Sequence, residues 1–312
     1  MQEDPATSYI VQLRHHGNVA YMDSFMAMIS KTIDHRILPV PSIFPITGER
    51  AHQLSTGLGR QVTSLVPGVV ASTLYPGVSH QAKLLFVRKM ALAFQACWRI
   101  PLPGPQMIGE LIANESDGHT SLTIGPDRHH GLGGPFSSVR DYLKAYISSW
   151  LVALERQQGV EDYKDKYPQK IRDFVNTTLH KIPDKVENVP IVPMHSDMGL
   201  HNIIVSSDDC TDIKAIIDWE FVAASAPFAS LDRTFEMFFR NTASNGCGLE
   251  YVHADELREA FWDSMPDWKL YMQKNSPQVF RIWFRFGRFM KPQWKPPGLT
   301  ERESQEFWRH NI

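Results

Sequence analysis

The chain has 312 residues, enough to bury a sizeable core and to form two lobes around one cleft. Its 32 Lys and Arg residues nearly balance its 34 Asp and Glu residues, which argues against a protein that coats nucleic acid. No apolar run is long enough for a membrane span. Three scattered cysteines and a start without an apolar signal-peptide core indicate the cytosol.

The first 68 residues predict a small α+β segment. Residues 9–14 alternate weakly between apolar and polar side chains, which indicates a strand. Residues 22–34 carry apolar side chains at helical spacing. Residues 60–66 predict a second strand, closed by the turn-forming pair Pro67-Gly68. We expect a domain boundary after this pair, with residues 69–312 forming a second, mainly helical unit.

The second unit is dominated by helical patterns. Residues 101–135 are rich in Gly, Pro and His, and predict a long irregular loop. The predicted helices span residues 80–99, 138–157, 168–182, 231–240, 254–264 and 277–290.

One segment, residues 191–220, breaks the helical pattern. Residues 202–205 and 213–219 are strand candidates, and the polar stretch between them is typical of a turn. Together they predict a β-hairpin. Antiparallel pairing would bring Asn202 and Asp218 to the same end of the ladder.

This arrangement predicts a cluster of oxygen ligands. Asp197 lies on the loop that leads to the end of the hairpin where Asn202 and Asp218 meet. Two carboxylates and an amide oxygen are what Mg²⁺-dependent phosphoryl transfer requires, because hard cations prefer oxygen ligands and the nucleophilic hydroxyl needs a nearby carboxylate. Each Asp alone would be an ordinary turn residue; the spaced set indicates chemistry.

The same residues carry a family resemblance. The catalytic segment resembles the aminoglycoside phosphotransferase and choline kinase-like family, through His195-Ser196-Asp197, Asn202-Ile203-Ile204-Val205 and Ile217-Asp218-Trp219-Glu220. Weaker matches are similar to a fungal-type subgroup: Leu38-Pro39-Val40-Pro41, Val66-Pro67-Gly68 and Gly134-Pro135-Phe136.

The resemblance implies a two-lobed, protein-kinase-like α+β fold, with a reduced small lobe (1–68) and a mainly helical large lobe (69–312) that contains the segment 191–220. It also implies Mg²⁺ as cofactor, ATP as co-substrate and a small-molecule hydroxyl as acceptor. Asp197 would accept or orient the hydroxyl proton, and Asn202 and Asp218 would hold the metal. The supporting residues would be His195, which braces the loop, Glu220, which orders the metal end, and Asp232, which bonds the catalytic loop.

The N-terminal segment departs from the family pattern. Only eight residues precede Tyr9, too few for the two strands and Gly-rich loop expected over the phosphates. The position where the family has its phosphate-binding cation is occupied by Gln12, which is uncharged. Arg14, on the same face of the strand, could supply the cation instead. Residues 22–34 contain no Glu to pair with that cation, and Asp23 is the only acid near the start of this segment. We therefore assign nucleotide binding to Arg14 and Gln12, and expect weak, strongly Mg²⁺-dependent binding.

Three other interpretations remain open from the sequence. A kinase-fold protein without the usual phosphate clamp could use its cleft for binding or for another biosynthetic reaction. His195-x-Asp197 with a distant His253 could form an iron site, although the helical pattern around residue 253 conflicts with the β-rich fold of such enzymes. Residues 277–291 predict an amphipathic helix whose basic face, with Arg281, Arg285 and Arg288, could border the acceptor.

Overall fold

The computed structural model describes residues 8–15, 17–116, 119–128, 131–156, 168–177, 184–226, 236–241 and 249–274. Within this part of the chain the strands form three antiparallel sheets, of two, three and four strands. No helix in the described ranges has both the length and the apolar character that a bilayer crossing requires.

The N-terminal sheet confirms both predicted strands. Strand β1 (Tyr9–Arg14) pairs with β2 (Gly59–Ser64), and Gln12 lies directly opposite Gln61. Because strand side chains alternate, Gln12 and Arg14 share one face, and Arg14 is buried at the end of the strand. The pairing register therefore brings three polar side chains, Gln12, Arg14 and Gln61, to one side of the sheet.

Helix α1 (Val19–Thr32) follows β1 and packs between this sheet and the rest of the molecule. It starts three residues before the predicted segment 22–34, because the side chain of Asn18 caps it by accepting a hydrogen bond from the Tyr21 amide at 3.2 Å. Its buried face is apolar apart from Asp23. Helix α2 (Glu49–Thr56) was not predicted; it has few apolar residues and no hydrophobic stripe to reveal it.

The prediction of an irregular loop over residues 101–135 is wrong for about half of these residues. Strands β4 (Gly109–Ser116) and β5 (His119–Gly125) form a hairpin there, and β4 also contacts α1. Leu111 and Ala113 are buried on one face of β4, which is the alternation of a half-buried strand. The sequence between the strands is Asp117-Gly118, a pair that favours a two-residue hairpin turn. The many Gly and Pro residues around these strands led to the prediction of a loop.

Four predicted helices, at 80–99, 138–157, 168–182 and 254–264, are confirmed where the structure describes them, and the predicted helix 231–240 is wrong over its described part. Ser79 caps α4 by accepting from the Ala82 amide at 3.2 Å, and Ser138 precedes α5 and accepts from the Asp141 amide at the same distance. Of the predicted helix 231–240, the described part is a 3₁₀ turn at Glu236–Phe238, and residues 277–290 lie outside the described ranges. The helices at Ala71–Leu74 and Pro266–Lys274 were not predicted. The observed helices are α3 (Ala71–Leu74), α4 (His80–Trp98), α5 (Val139–Arg156), α6 (Pro168–Thr177), α7 (Ala254–Asp263) and α8 (Pro266–Lys274).

The predicted hairpin is confirmed, and two neighbouring strands fix its position. Strand β7 (Ile203–Val205) pairs with β8 (Ile213–Ile216), and β3 (Val69–Val70) pairs with the other edge of β7. Strand β6 (Val192–His195) pairs with β9 (Val222–Ser225), so that His195 lies opposite Val222. Since the chain runs from β6 through the hairpin to β9, its turns at residues 196–202 and 217–221 meet at one place.

Two buried clusters support these turns. The larger one surrounds α4 and joins side chains of α1, β6, β7 and α7; it includes Phe25, Phe86 and Trp219, each at most 1% exposed. The second lies under α5 and includes Leu143, Tyr146 and Val189. Trp219, in the turn after β8, contacts Phe25 of α1 with ring centroids 5.9 Å apart. The larger cluster therefore joins this turn to the N-terminal segment.

The turn that precedes strand β3 gives a stability prediction. Gly68 has φ +145, and a Cβ atom there would lie 2.2 Å from the carbonyl oxygen of Val205. Gly68→Ala should therefore lower the free energy of unfolding by about 2–4 kcal/mol, from backbone strain and a backbone clash. Gly77→Ala, where no atom lies within 4 Å of the added Cβ, is the control and should change it little. Equal urea midpoints for the two variants would contradict the prediction.

Candidate active site

The loop after β6 holds Asp197 in place through Asn202. The side-chain amide of Asn202 donates to the Asp197 carbonyl oxygen at 2.9 Å and to its carboxylate oxygen Oδ2 at 3.3 Å. Asn202 closes the 3₁₀ turn Leu200–Asn202 and is buried, whereas a quarter of the Asp197 side chain is exposed. The loop therefore presents the Asp197 carboxylate to solvent, while the buried amide of Asn202 fixes the loop backbone.

His195 joins this loop to the end of the hairpin. Its Nε2 donates to the carbonyl oxygen of Ile217 at 2.9 Å, and its Nδ1 accepts from the Asp197 amide at 3.2 Å. Its ring packs on Trp219 with centroids 4.6 Å apart. Burial lowers the pKa of His195 from its usual value, although hydrogen bonding to Ile217 opposes the shift. The two bonds thus require the neutral ring with the proton on Nε2.

Asp218 follows the second strand of the hairpin, as predicted. The amide of Ile217 donates to the carbonyl oxygen of Asn202 at 2.9 Å, and this bond joins the two ends of the hairpin next to Asp218. Asp218 has φ 65 and ψ 52, the one positive φ of a non-glycine residue in the described ranges. This conformation costs free energy and tends to occur at functional sites. Here it turns the carboxylate away from the ladder.

Arg14 reaches the same place from the N-terminal sheet. Its Nη1 forms an ion pair with Oδ1 of Asp218 and donates to Oε2 of Glu220 at 3.1 Å. Its Nη2 donates to the side-chain oxygens of Gln12 at 3.0 Å and Gln61 at 3.2 Å. Its Nε is buried and has no acceptor among the described residues. Arg14 thus reaches the carboxylates from the face of β1 that it shares with Gln12, and its assignment to the nucleotide phosphates stays a prediction.

Two further observations define the surroundings of Arg14. Gln61 also donates to Oδ1 of Asp23, a buried carboxyl group on α1, at 2.9 Å. Arg60, the neighbouring cation of β2, is engaged elsewhere: its Nη2 pairs with Oε2 of Glu49 at 2.9 Å. In this structure Arg14, and not Arg60, reaches the carboxylates of the site.

His201 is a residue of the site that the sequence reasoning missed. Its Nε2 lies 3.0 Å from Oδ2 of Asp197, the oxygen that also accepts from Asn202. The spacing i, i+4 from Asp197 was visible in the sequence, but only the 3₁₀ turn that ends at Asn202 makes it a contact. His201 is well exposed and lies on the solvent side of the carboxylate.

The oxygen donors fit a Mg²⁺ ion better than an iron ion. Within the described ranges no group of three or more His, Cys, Asp or Glu side chains could hold a metal ion. Mg²⁺ is commonly held by one or two carboxylates together with substrate phosphates, which matches Asp218 with the amide oxygen of Asn202. The iron alternative finds no support, because both ring nitrogens of His195 are engaged and His253 pairs with Glu256 at 3.0 Å.

Comparison with known proteins identifies the family of the chain. The model of the phosphotransferase enzyme family, APH, matches residues 2–268. The chain belongs to this family. No curated protein matches the chain significantly.

Solved structures show the fold. A thermostable mutant of aminoglycoside phosphotransferase APH(4)-Ia, in its apo form, has a TM-score of 0.54 at 13% identity, covering 99% of this chain and 87% of the other. The APH(2")-IIIa structure with GDP and kanamycin has a TM-score of 0.51 at 11% identity, covering 94% and 81%. The protein-kinase-like α+β fold implied by the sequence is therefore confirmed. Two predicted features, Asp232 and the basic helix 277–291, lie outside the described residues.

The buried imidazole of His195 predicts a pH dependence of stability. Its folded-state pKa is lowered, so the unfolded state binds the proton more readily. Its contribution to stability is complete above the unfolded pKa of about 6.5 and is lost as the pH falls below it. The comparison needs a matched variant, because burial raises the pKa of Asp23 to about 6 and gives the opposite slope.

We therefore expect His195→Gln, which does not titrate, to lose less stability than the wild type between pH 7.5 and pH 5.5. Urea unfolding of both proteins at each pH provides the measurement. The Asp23 contribution is common to both proteins and cancels in the difference. A difference in unfolding free energy that is independent of pH would show that His195 is not a buried neutral ring.

Proposed function

We propose that this chain transfers the γ-phosphoryl group of ATP to the hydroxyl of a small-molecule acceptor, with Mg²⁺. The observation that carries the proposal is the convergence of Asp197, Asn202 and Asp218, joined through hydrogen bonds of the catalytic loop and the hairpin. Family membership supports the reaction type. A structure of similar fold, a thermostable APH(4)-Ia mutant in a ternary complex with ADP and hygromycin B, has a TM-score of 0.52 at 13% identity.

Each residue has a role that follows from its position. Asp197, partly exposed at the loop, orients the acceptor hydroxyl and accepts its proton as the oxygen attacks the γ-phosphorus and the bond to the ADP oxygen breaks. Asn202 and Asp218 would hold Mg²⁺, which when bound neutralises phosphate charge and orients the reacting group. His195 keeps the two loops together and does not touch the substrate.

Arg14 supplies the cation for the nucleotide phosphates. Two carboxylates, Asp218 and Glu220, share this one guanidinium, so the site keeps an excess of negative charge that a divalent cation can balance. A metal ion held by Asp218 would balance the charge of that carboxylate, which would leave the Arg14 guanidinium available to phosphate oxygens. The buried Nε–H of Arg14, which has no acceptor among the described residues, is a further donor for such an anion.

The role of Asp197 predicts a loss of turnover. Asp197→Asn should lower kcat by roughly 10²–10⁴-fold, because the amide cannot accept the proton. Its affinity for Mg·ATP should stay within about twofold, since the phosphates do not contact it. ADP formation measured over a panel of aminoglycosides, sugars and amino alcohols provides the assay. Asp208→Asn, in the turn of the hairpin, is the matched control and should keep full activity; an active Asp197→Asn enzyme would remove the proposed role.

The metal and cation roles predict separate losses of nucleotide affinity. Asp218→Asn should abolish the Mg²⁺-dependent part of ATP binding; Asn tolerates the left-handed backbone, so the change tests the charge alone. Arg14→Ala should weaken ATP binding about tenfold to a hundredfold, the size of one charge-assisted contact.

The neighbouring cation offers the control. Arg60→Ala removes a pair with Glu49 and should leave ATP affinity unchanged. Calorimetry with and without Mg²⁺ gives all these values. If the wild type binds no ATP at millimolar concentration, the phosphotransferase proposal fails and the cleft serves another purpose.

A further inference from the structure

The guanidinium of Arg14 is held from two sides. Nη1 contacts the carboxylates of Asp218 and Glu220, while Nη2 contacts the amide oxygens of Gln12 and Gln61. The carboxylate contacts would change once a metal ion and phosphates enter the site. The amide contacts belong to the N-terminal sheet itself and do not depend on the ligand, so they are the ones able to fix the direction of Arg14.

Of the two amides, Gln61 is oriented by a second residue. Its Nε2 donates to Oδ1 of Asp23 at 2.9 Å, while its Oε1 accepts from Arg14 at 3.2 Å. An amide has one donor end and one acceptor end, so the bond to Asp23 turns the oxygen towards Arg14. Gln61 and Asp23 are 3% and 7% exposed, so water competes little with these two hydrogen bonds.

Keeping an acid at this position has a cost for the fold. Burial raises the pKa of Asp23 to about 6, and the charge of Glu49 acts in the same direction, whereas the bond from Gln61 and the charge of Arg14 oppose it. An apolar residue would fit the rest of the buried face of α1, which is formed by Val, Met, Phe and Ile side chains. A buried carboxyl group that is costly and points to a candidate site indicates a functional reason.

We infer that Gln61 and Asp23 are positioning residues that hold Arg14 for the nucleotide phosphates. Asp23 acts from α1, Gln61 transmits its orientation across β2, and Arg14 contacts the ligand. The inference rests on the proposed role of Arg14 as the phosphate-binding cation. In this arrangement Arg14 and Asp23 are joined through the side-chain amide of Gln61, in place of a direct ion pair between the strand cation and a Glu of the helix. This explains why α1 needs no Glu.

The first test breaks the connection at each residue. Gln61→Leu should raise the Kd for Mg·AMP-PNP about tenfold, since Arg14 loses the acceptor that directs it. Asp23→Leu should have a similar effect, whereas Asp23→Asn keeps an oxygen acceptor for Gln61 and should stay within about twofold of the wild type. Glu49→Gln, which weakens another buried polar contact of β2, is the control and should not change the Kd.

The second test restores the connection with reversed polarity. In the double variant Gln61→Glu with Asp23→Asn, the Asn amide can donate to the new carboxylate, which can still accept from Arg14. The double variant should bind Mg·AMP-PNP within about threefold of the wild type. Thermal unfolding of every variant separates a loss of affinity from a loss of fold, and a purely structural role would lower Tm without this pattern in Kd.

The outcomes distinguish the two proposals. If Arg14→Ala binds weakly while Gln61→Leu binds like the wild type, the positioning inference is overturned and the proposed function stands. If Gln61→Leu and Glu49→Gln weaken binding equally, the effect is general to the sheet and the inference is also overturned. If the wild type itself binds no Mg·AMP-PNP, the proposed function fails, and this inference fails with it.

Discussion

The ion pair of Arg14 with Asp218 and Glu220 is the contact on which the arrangement of the site depends. It joins strand β1 of the N-terminal sheet to the turn that follows the hairpin, two segments more than 200 residues apart in sequence. Arg14 is 9% exposed, so little water screens the interaction. A buried guanidinium without its carboxylates would be strongly destabilising, and the pair therefore fixes how the N-terminal sheet meets the catalytic segment.

Around this pair, a few backbone contacts make the catalytic loop rigid. His195 and Asn202 each bridge the loop and the end of the hairpin, and their side chains are almost entirely buried. Trp219 completes the support: its indole donates to the carbonyl oxygen of Ile216 at 2.8 Å and its ring contacts Phe25 of α1. Asp197 and Asp218 can then stay partly exposed while the residues that support them are fixed, which is what their proposed roles require.

The sequence was sufficient for the parts of the site that lie close together along the chain. The hairpin at 203–216 could be predicted because its turn is polar and its strands are short and apolar, and the meeting of Asn202 with Asp218 followed from antiparallel pairing. The β4–β5 hairpin was missed because its Gly- and Pro-rich surroundings resemble a loop. The contact between His201 and Asp197 needed the 3₁₀ turn, which apolar periodicity does not reveal.

The cation network was harder to predict, because it depends on the strand register. Arg14 was a candidate from its position two residues after Gln12, but its partner Gln61 is set by the pairing of β1 with β2, and Asp23 is brought in by the packing of α1. No local pattern encodes such contacts between distant segments. The helix has no Glu for the cation, and Asp23, the acid near its start, reaches Arg14 only through the amide of Gln61.

The most direct test is a crystal structure with AMP-PNP and Mn²⁺ in place of Mg²⁺, using the anomalous signal of the metal. The account predicts one anomalous peak between the side chains of Asn202 and Asp218. The guanidinium of Arg14 should contact a phosphate oxygen and still donate a hydrogen bond to the side-chain oxygen of Gln61. A nucleotide bound without metal at these two residues, or an Arg14 that keeps its pairs with Asp218 and Glu220 and stays away from the phosphates, would contradict it.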